Sequence, residues 1–181
     1  MKYLFSIIIL SFIACKSQDN AGTKSISMKE NKQVVWHKRT HKDNFQTVEK
    51  ISLIPNSKIT LEHNEAGKAY IKILPGDKNI FQYAYHKKLT DSNIQDAFVN
   101  ENIYFEWQGD LQNTLLTDAK LSDVKLTASF TGFRNSDAIA VTKGKLKVDI
   151  VNEHQAKIYI KIDENKLPLP VTEINEIISI K

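Results

Sequence analysis

Cysteine is almost absent from this chain of 181 residues, which contains one, Cys15. A single thiol cannot close a disulfide within the chain, and it cannot supply the several thiolates of a cysteine-ligated metal site. Residues 16–181 also lack any thiol nucleophile. Whatever fold these residues adopt must therefore be stabilised by its core alone.

Glycine and proline are also scarce, with six and four residues respectively. The glycines are scattered, so that neither a phosphate-binding loop of the GxxxxGKS kind nor a Gly-x-Ser-x-Gly nucleophile turn occurs. A His-Glu-x-x-His zinc motif is missing as well. These absences predict no catalytic centre, no metal site and no cofactor, and they favour a protein that is not an enzyme.

Long hydrophobic runs are missing too, and the longest apolar stretch is the N-terminal one. Lys2 is followed by the apolar residues 3–13, which are too few for a helix that spans a bilayer, since such a helix takes roughly 20 residues. The stretch ends in Phe12, Ile13, Ala14 and Cys15. This ending resembles the lipobox of bacterial lipoproteins, although that family usually has Leu where Phe12 stands.

The resemblance covers residues 1–15 and implies a location. In that family the cysteine sulfur receives diacylglycerol, the leader is removed, and the new amino terminus is acylated, commonly with palmitate. Cys15 is then the lipid attachment site of a protein held on the cell envelope by its acyl chains. Lys16 follows, where an Asp would be associated with inner-membrane retention, so the resemblance favours the outer membrane and leaves open which side the body faces.

Composition divides the chain into three parts: a signal peptide (residues 1–14), the lipidated cysteine with a flexible basic tether (residues 15–45), and a single β-rich domain (residues 46–181). Residues 16–45 hold seven basic and three acidic side chains, whereas residues 46–181 hold 17 and 18. The excess positive charge therefore lies next to the lipid, where it can attract anionic headgroups, or it is a solvated linker. It does not favour a nucleic-acid partner.

Alternation of apolar and polar residues dominates the chain after residue 45 and predicts strands. Phe81, Tyr83 and Tyr85 share one face of a strand, and the opposite face is more polar, so we expect this aromatic face to be core rather than an exposed platform. Residues 146–150 and 158–162 alternate in the same way around a hairpin connection at residues 152–155.

The regular spacing of short strands predicts an all-β, mainly antiparallel fold, with a β-sandwich favoured and a calyx-like barrel as the alternative. Two segments interrupt the pattern. Residues 91–99 fit a short helix with Ser92 as its N-cap, and residues 117–124 fit one helical turn or a loop.

Two groups of residues have the spacing of reactive sites. His37 and His41 have the i, i+4 spacing of a helical metal-binding pair, but the surrounding sequence is basic and repels a cation, so we interpret them as solvated tether residues. Glu106 and Asp110 flank Trp107, an arrangement that carboxylate pairs in glycosidases share. Because Glu106 alternates with apolar neighbours, we predict instead a solvent-facing acid and a turn aspartate.

The remaining histidines, His63, His86 and His154, fall at predicted strand ends or in a turn, where surface histidines are common. The leading hypothesis is therefore a noncatalytic, lipid-anchored module that binds a protein or a glycan at the cell envelope. One alternative is a carrier of an apolar ligand inside a barrel, for which the Gly-x-Trp of lipocalins is missing. The other is an envelope hydrolase, which would need acid, base or metal ligands that converge in a pocket.

Overall fold

The computed structural model describes the backbone of residues 25–26, 34–42, 45–89, 97–132 and 135–179, and the side chains of residues 46–88, 97–132 and 135–179. In chain order the strands are β1 (Ser25–Ile26), β2 (Val34–Lys42), β3 (Phe45–His63), β4 (Ala69–Pro75), β5 (Lys78–Leu89), β6 (Phe98–Trp107), β7 (Leu111–Gln112), β8 (Thr114–Thr117), β9 (Thr127–Gly132), β10 (Asn135–Ala140), β11 (Gly144–Asn152), β12 (Gln155–Ile162) and β13 (Glu173–Ser179). A 3-10 helix, Asp118–Val124, separates β8 from β9.

The strands form a large sheet and a small sheet, and every pairing is antiparallel. The large sheet has the order β10-β9-β6-β5-β3-β2, with β4 paired to the second half of β3, and the small sheet has the order β13-β12-β11-β8. Strands β1 and β7 pair separately. The predicted all-β, antiparallel fold is confirmed.

The large sheet curls until it is nearly a closed barrel, and a bend in β3 makes this possible. The register between β3 and β5 breaks after Ile54, and Asn56 has a positive φ of 51°. The second half of β3 therefore leaves β5 and pairs with β4 instead. At the far edge, the N–H of Ala69 on β4 donates to Asp137 Oδ1 on β10 at 3.0 Å, so the two ends of the sheet meet.

The main core lies between the two sheets. Phe81 and Phe105 stack there with ring centroids 5.0 Å apart, and Tyr83 is buried beside them. The small sheet contributes the inward side chains of β11 and β12, including Ile158 and Ile160. The predicted burial of the aromatic face of β5 is confirmed, and the molecule combines a sandwich interface with a barrel-like sheet.

The remaining segment predictions have mixed outcomes. The predicted turn of helix at residues 117–124 is confirmed as the 3-10 helix. The helix predicted for residues 91–99 is wrong at Phe98 and Val99, which begin strand β6, and residues 91–96 lie outside the described part. The predicted tether, residues 15–45, includes Val34–Lys42, whose backbone pairs with β3 as strand β2. Among the described residues no helix is long and apolar enough to cross a membrane.

Candidate ligand-binding site

The two faces of the large sheet have different environments. One, the core face, packs against the small sheet. The other, which we call the barrel face, is turned away from the small sheet and is enclosed by the curl of its own sheet. Cross-strand partners in an antiparallel pair lie on the same face, so the register assigns each side chain to one of the two.

The closed end of the barrel face is built around a buried carboxylate. Glu106 Oε2 accepts a hydrogen bond from the N–H of Ile59 at 3.0 Å, and Oε1 lies 2.5 Å from Lys78 Nζ and 3.1 Å from Lys125 Nζ. Lys125 also donates to the carbonyl of Ile59 at 3.2 Å. Glu106 therefore ties the bent half of β3 to β5 and to the start of β9.

Burial alone would raise the pKa of Glu106, but the N–H of Ile59 and the two ammonium groups together outweigh it and lower the pKa. The prediction that Glu106 faces solvent is wrong, since its side chain is fully buried. Alternation correctly turned it away from the main core, but the curl of the sheet buries that second face as well. Asp110 is exposed, as expected for a turn aspartate.

Above the carboxylate, an apolar plug fills the barrel. Ile59, Ile80 and Tyr104 are buried and pack together, with Ile54, Ile71 and Ile73 against them. The hydroxyl of Tyr104 is the polar end of this plug, because it accepts a hydrogen bond from Gln82 Nε2 at 3.2 Å.

A polar row crosses four strands directly beside the plug, formed by Ser52, Gln82, Tyr104 and Thr127. Gln82 Nε2 also donates to Asn102 Oδ1 at 3.1 Å, so one amide group orients two neighbours. The hydroxyls at the two ends of the row, Ser52 Oγ and Thr127 Oγ1, are buried and have no hydrogen-bond partner among the described residues. Buried hydroxyls are normally paired, so this row holds two unused hydrogen-bonding groups, which a ligand reaches only when the row opens.

Two further rows continue from this one toward the open end. The first contains Lys50, Asn102 and Ser129, and the second contains His86 and Asn100, which hydrogen-bond through Nδ1 and Oδ1. All five side chains are partly exposed. Along the strands, the barrel face thus changes from a buried carboxylate, through an apolar plug, to polar groups that solvent reaches.

We call this set the polar cup, and its members are Lys50, Ser52, Gln82, His86, Asn100, Asn102, Tyr104, Thr127 and Ser129. The cup contains no carboxylate, and its fixed charge is the ammonium of Lys50. Within the described part of the chain, these bonds do not use Gln82 Oε1, the two Nδ2–H groups of Asn102 or the Tyr104 proton, which a ligand could therefore engage. Such a surface can hydrogen-bond an uncharged molecule that is rich in hydroxyl and amide groups.

The polar side of β5 is visible in the sequence, whereas the cup is not. His86 was expected at a strand end, whereas β5 continues to Leu89 and places His86 within the sheet, paired with Val48 and Asn100. The available signal was the set of polar residues at alternate positions, with Gln82 and His86 on β5 and amide and hydroxyl residues on β6 and β9. One sequence shows this set, but it does not show which strands are neighbours.

The other residues considered from the sequence lie elsewhere. Cys15 is outside the described residues. His37 and His41 lie on strand β2 rather than on a helix, so the helical pairing suggested by their spacing does not form. Within the described ranges, no three His, Cys, Asp or Glu side chains are grouped so that they could hold a metal ion.

A second buried carboxyl, Glu101, lies on the core face. Its Oε2 accepts a hydrogen bond from the N–H of Val171 at 2.9 Å, while Oε1 has no partner among the residues that the structure describes. Burial raises the pKa of Glu101 to about 8, against a lowering by the Val171 hydrogen bond. Burial likewise raises the pKa of the neighbouring Tyr83, together with Glu49. These groups lie between the sheets, away from the cup.

No protein-family model matches this chain, and neither the curated proteins nor the solved structures yield a significant match.

Proposed function

We propose that this protein is a noncatalytic, lipid-anchored module of the bacterial cell envelope, which binds a neutral glycan in the polar cup. The anchoring part is motivated by the lipobox-like ending at Cys15, which would place the acyl chains in the outer membrane. The binding part is motivated by the cup. Neither observation indicates on which side of the outer membrane the body lies.

The single observation that supports the ligand class is the polar row with its unpaired ends. Gln82 is fixed by two hydrogen bonds, and the hydroxyls of Ser52 and Thr127 lack partners among the described residues. A site built to hydrogen-bond hydroxyl groups leaves its own polar groups unpaired when the ligand is absent, and it rejects ligands that lack those groups. A sugar supplies both donors and acceptors without bringing a charge.

The geometry of the cup favours a glycan over a protein partner. Ser52 and Thr127 are buried while Gln82 and Asn102 are partly exposed, so the row does not present the broad exposed patch that protein interfaces use. The alternative of an apolar ligand in the barrel receives less support, because Ile59, Ile80 and Tyr104 already occupy the apolar end. A hydrolase receives less support because the cup contains no carboxylate.

The binding part can be tested by calorimetric titration of the detergent-extracted full chain with neutral oligosaccharides of glucose and of N-acetylglucosamine. Loss of one or two hydrogen bonds of about 1 kcal/mol each should weaken binding about 5–30-fold. We expect this loss in Gln82→Ala and in Asn102→Ala. Asn175→Ala, an exposed amide on the small sheet, is the matched control and should bind as the unchanged protein does.

Absence of binding to both oligosaccharide series, or equal binding by the cup variants and the control, would contradict the glycan site. The anchor has a separate test. Intact-mass analysis of the protein from its native membranes should show Cys15 as the first residue with its acyl chains. Retention of residues 1–14, or a sulfur without lipid, would contradict the anchoring part alone.

A further inference from the structure

The small sheet has a second face, which is turned away from the core. The inward residues of β11 and β12 are buried, and they alternate with outward residues that are polar or charged. We call the outward side chains of β8, β11, β12 and β13 the lysine face. Its basic members are Lys145, Lys147, Lys157 and Lys161, which the strand register places in adjacent rows.

Apolar side chains surround these lysines. Leu115 is the cross-strand partner of Lys147 on β8, and Ile177 is the partner of Lys157 on β13. They are 57% and 59% exposed, which makes them the two most exposed large hydrophobic residues of the described chain. Tyr159 lies between the two edges, opposite Lys147. An exposed sheet face that combines lysines with apolar side chains indicates an interaction surface.

The charge of the lysine face differs from that of the rest of the domain. Together with Asp163, which pairs with Lys161 at its edge, the face carries four lysines against three acids, and the other two acids are Asp149 and Glu173. The remainder of residues 46–181 carries 13 basic and 15 acidic side chains. Lys147 is held by Asp149 at 2.8 Å and Lys161 by Asp163 at 2.8 Å, so these two are oriented across the sheet surface. The face is therefore net positive by one charge, whereas the rest of the domain is net negative by two.

We propose that the lysine face rests on an anionic phospholipid surface, a further interaction that depends on the lipid anchor of the proposed function. Lysines extend their apolar stems along a surface and direct their ammonium groups to the phosphates, while Leu115, Tyr159 and Ile177 enter the headgroup region. The acyl chains at Cys15 would keep this face close to the bilayer, so that a few weak contacts suffice to orient the domain.

This orientation has a consequence for the cup. The lysine face and the barrel face are turned away from the shared core in opposite directions. A domain that rests on its small sheet therefore directs the curled sheet, with Gln82 and Asn102, away from the bilayer. The polar cup then lies on the side of the small sheet that is remote from the bilayer, where the membrane does not cover it.

The test uses lysine accessibility in the full chain. Sonicated envelope fragments and detergent-extracted protein are treated with a water-soluble amine-reactive ester, and the modification of each lysine is read by mass spectrometry. Lys72 is the matched control, because it lies on β4 and its side chain is 51% exposed, against 44% for Lys147 and 47% for Lys161, and all three are paired with an acid. We expect Lys147, Lys157 and Lys161 to be protected at least about fivefold by the membrane, and Lys72 to be unchanged.

Reconstituted vesicles identify the partner. The full chain in vesicles of phosphatidylglycerol and phosphatidylethanolamine should show the same protection, and in pure phosphatidylcholine it should not. Equal modification of all four lysines in membranes would overturn the proposal. So would protection in native fragments that is lost in anionic vesicles, since it would identify a protein partner instead.

A charge-reversed variant makes the test specific to the face. Lys157→Glu with Lys161→Glu should abolish the protection of Lys147, whereas Lys58→Glu with Lys72→Glu on the barrel wall should leave it intact, both after circular dichroism has shown an unchanged fold. Unchanged protection in the first variant would also overturn the proposal. Glycan binding in detergent does not depend on the lysine face, so failure here is distinguishable from failure of the polar cup.

Discussion

Substitution of Glu106 by Gln is the sharpest test of how the barrel is closed. The change keeps the shape of the side chain and an oxygen that can accept the N–H of Ile59, but it removes the negative charge that faces two lysines. Breaking a fully buried ion pair typically costs about 3–5 kcal/mol, and an exposed one costs about 0–1. Here the carboxylate is buried, while the side chains of Lys78 and Lys125 are 30% and 48% exposed and can be hydrated after the change.

We therefore expect Glu106→Gln to lower the free energy of unfolding by about 2 kcal/mol at neutral pH. For a domain of this size that loss corresponds to a decrease of about 5–10 °C in the unfolding midpoint. The assay is urea unfolding of the full chain followed by tryptophan fluorescence, for which Trp107 is the direct chain neighbour of the substituted residue. Glu62→Gln, which removes a partly exposed acid 3.6 Å from Lys72, is the control and should change stability by less than about 0.5 kcal/mol.

The pH dependence provides a second criterion. The pKa of Glu106 is lowered in the folded state from 4.5, so its stabilisation is present above that value and is lost as the pH falls through the lowered pKa. The difference between the two proteins should then be largest at pH 7 and should shrink in acid. A variant as stable as the unchanged protein at pH 7, or a difference that stays constant into acid, would refute the role given to Glu106.

Three further results are expected. The pKa of Glu101 is raised from 4.5 to about 8 in the folded state, so its contribution to stability is complete below pH 4.5 and is lost by about 1.4 kcal/mol per pH unit as the pH rises toward 8. Glu101→Gln should remove this slope in urea titrations between pH 5 and 9. An unchanged slope would contradict the assignment. Gly144 has a φ of +140°, and a β-carbon there would lie 2.1 Å from the carbonyl oxygen of Lys161. Gly144→Ala should therefore lower the free energy of unfolding by at least about 2 kcal/mol, and a neutral effect would contradict the close approach. Phe105→Ala removes the ring stacked on Phe81 and should lose about 3–5 kcal/mol by thermal unfolding, whereas a loss below about 1 kcal/mol would show that the site collapses.

The errors of sequence interpretation have one physical origin. Alternation showed correctly that Phe105 and Trp107 point to one side of β6 and Glu106 to the other. It could not show that the other side is also enclosed, because enclosure depends on the bend of β3 near Asn56, which brings the backbone of Ile59 over the carboxylate. His86 was misplaced for a related reason, since the end of a strand depends on the length of its partners, and β3 and β6 extend β5 to Leu89.

The sequence by itself determined the period of the strands, the apolar face of each one, and the burial of the Phe81, Tyr83 and Tyr85 side, because these follow from the alternation of neighbouring residues along one chain. Only the tertiary structure decided what becomes of the opposite faces. On the large sheet, the curl of the strands encloses that face and brings Ser52, Gln82, Tyr104 and Thr127 into one row. On the small sheet the same kind of polar face stays open. The two faces differ in exposure because curvature is a property of the assembled sheet and cannot be deduced from any single strand.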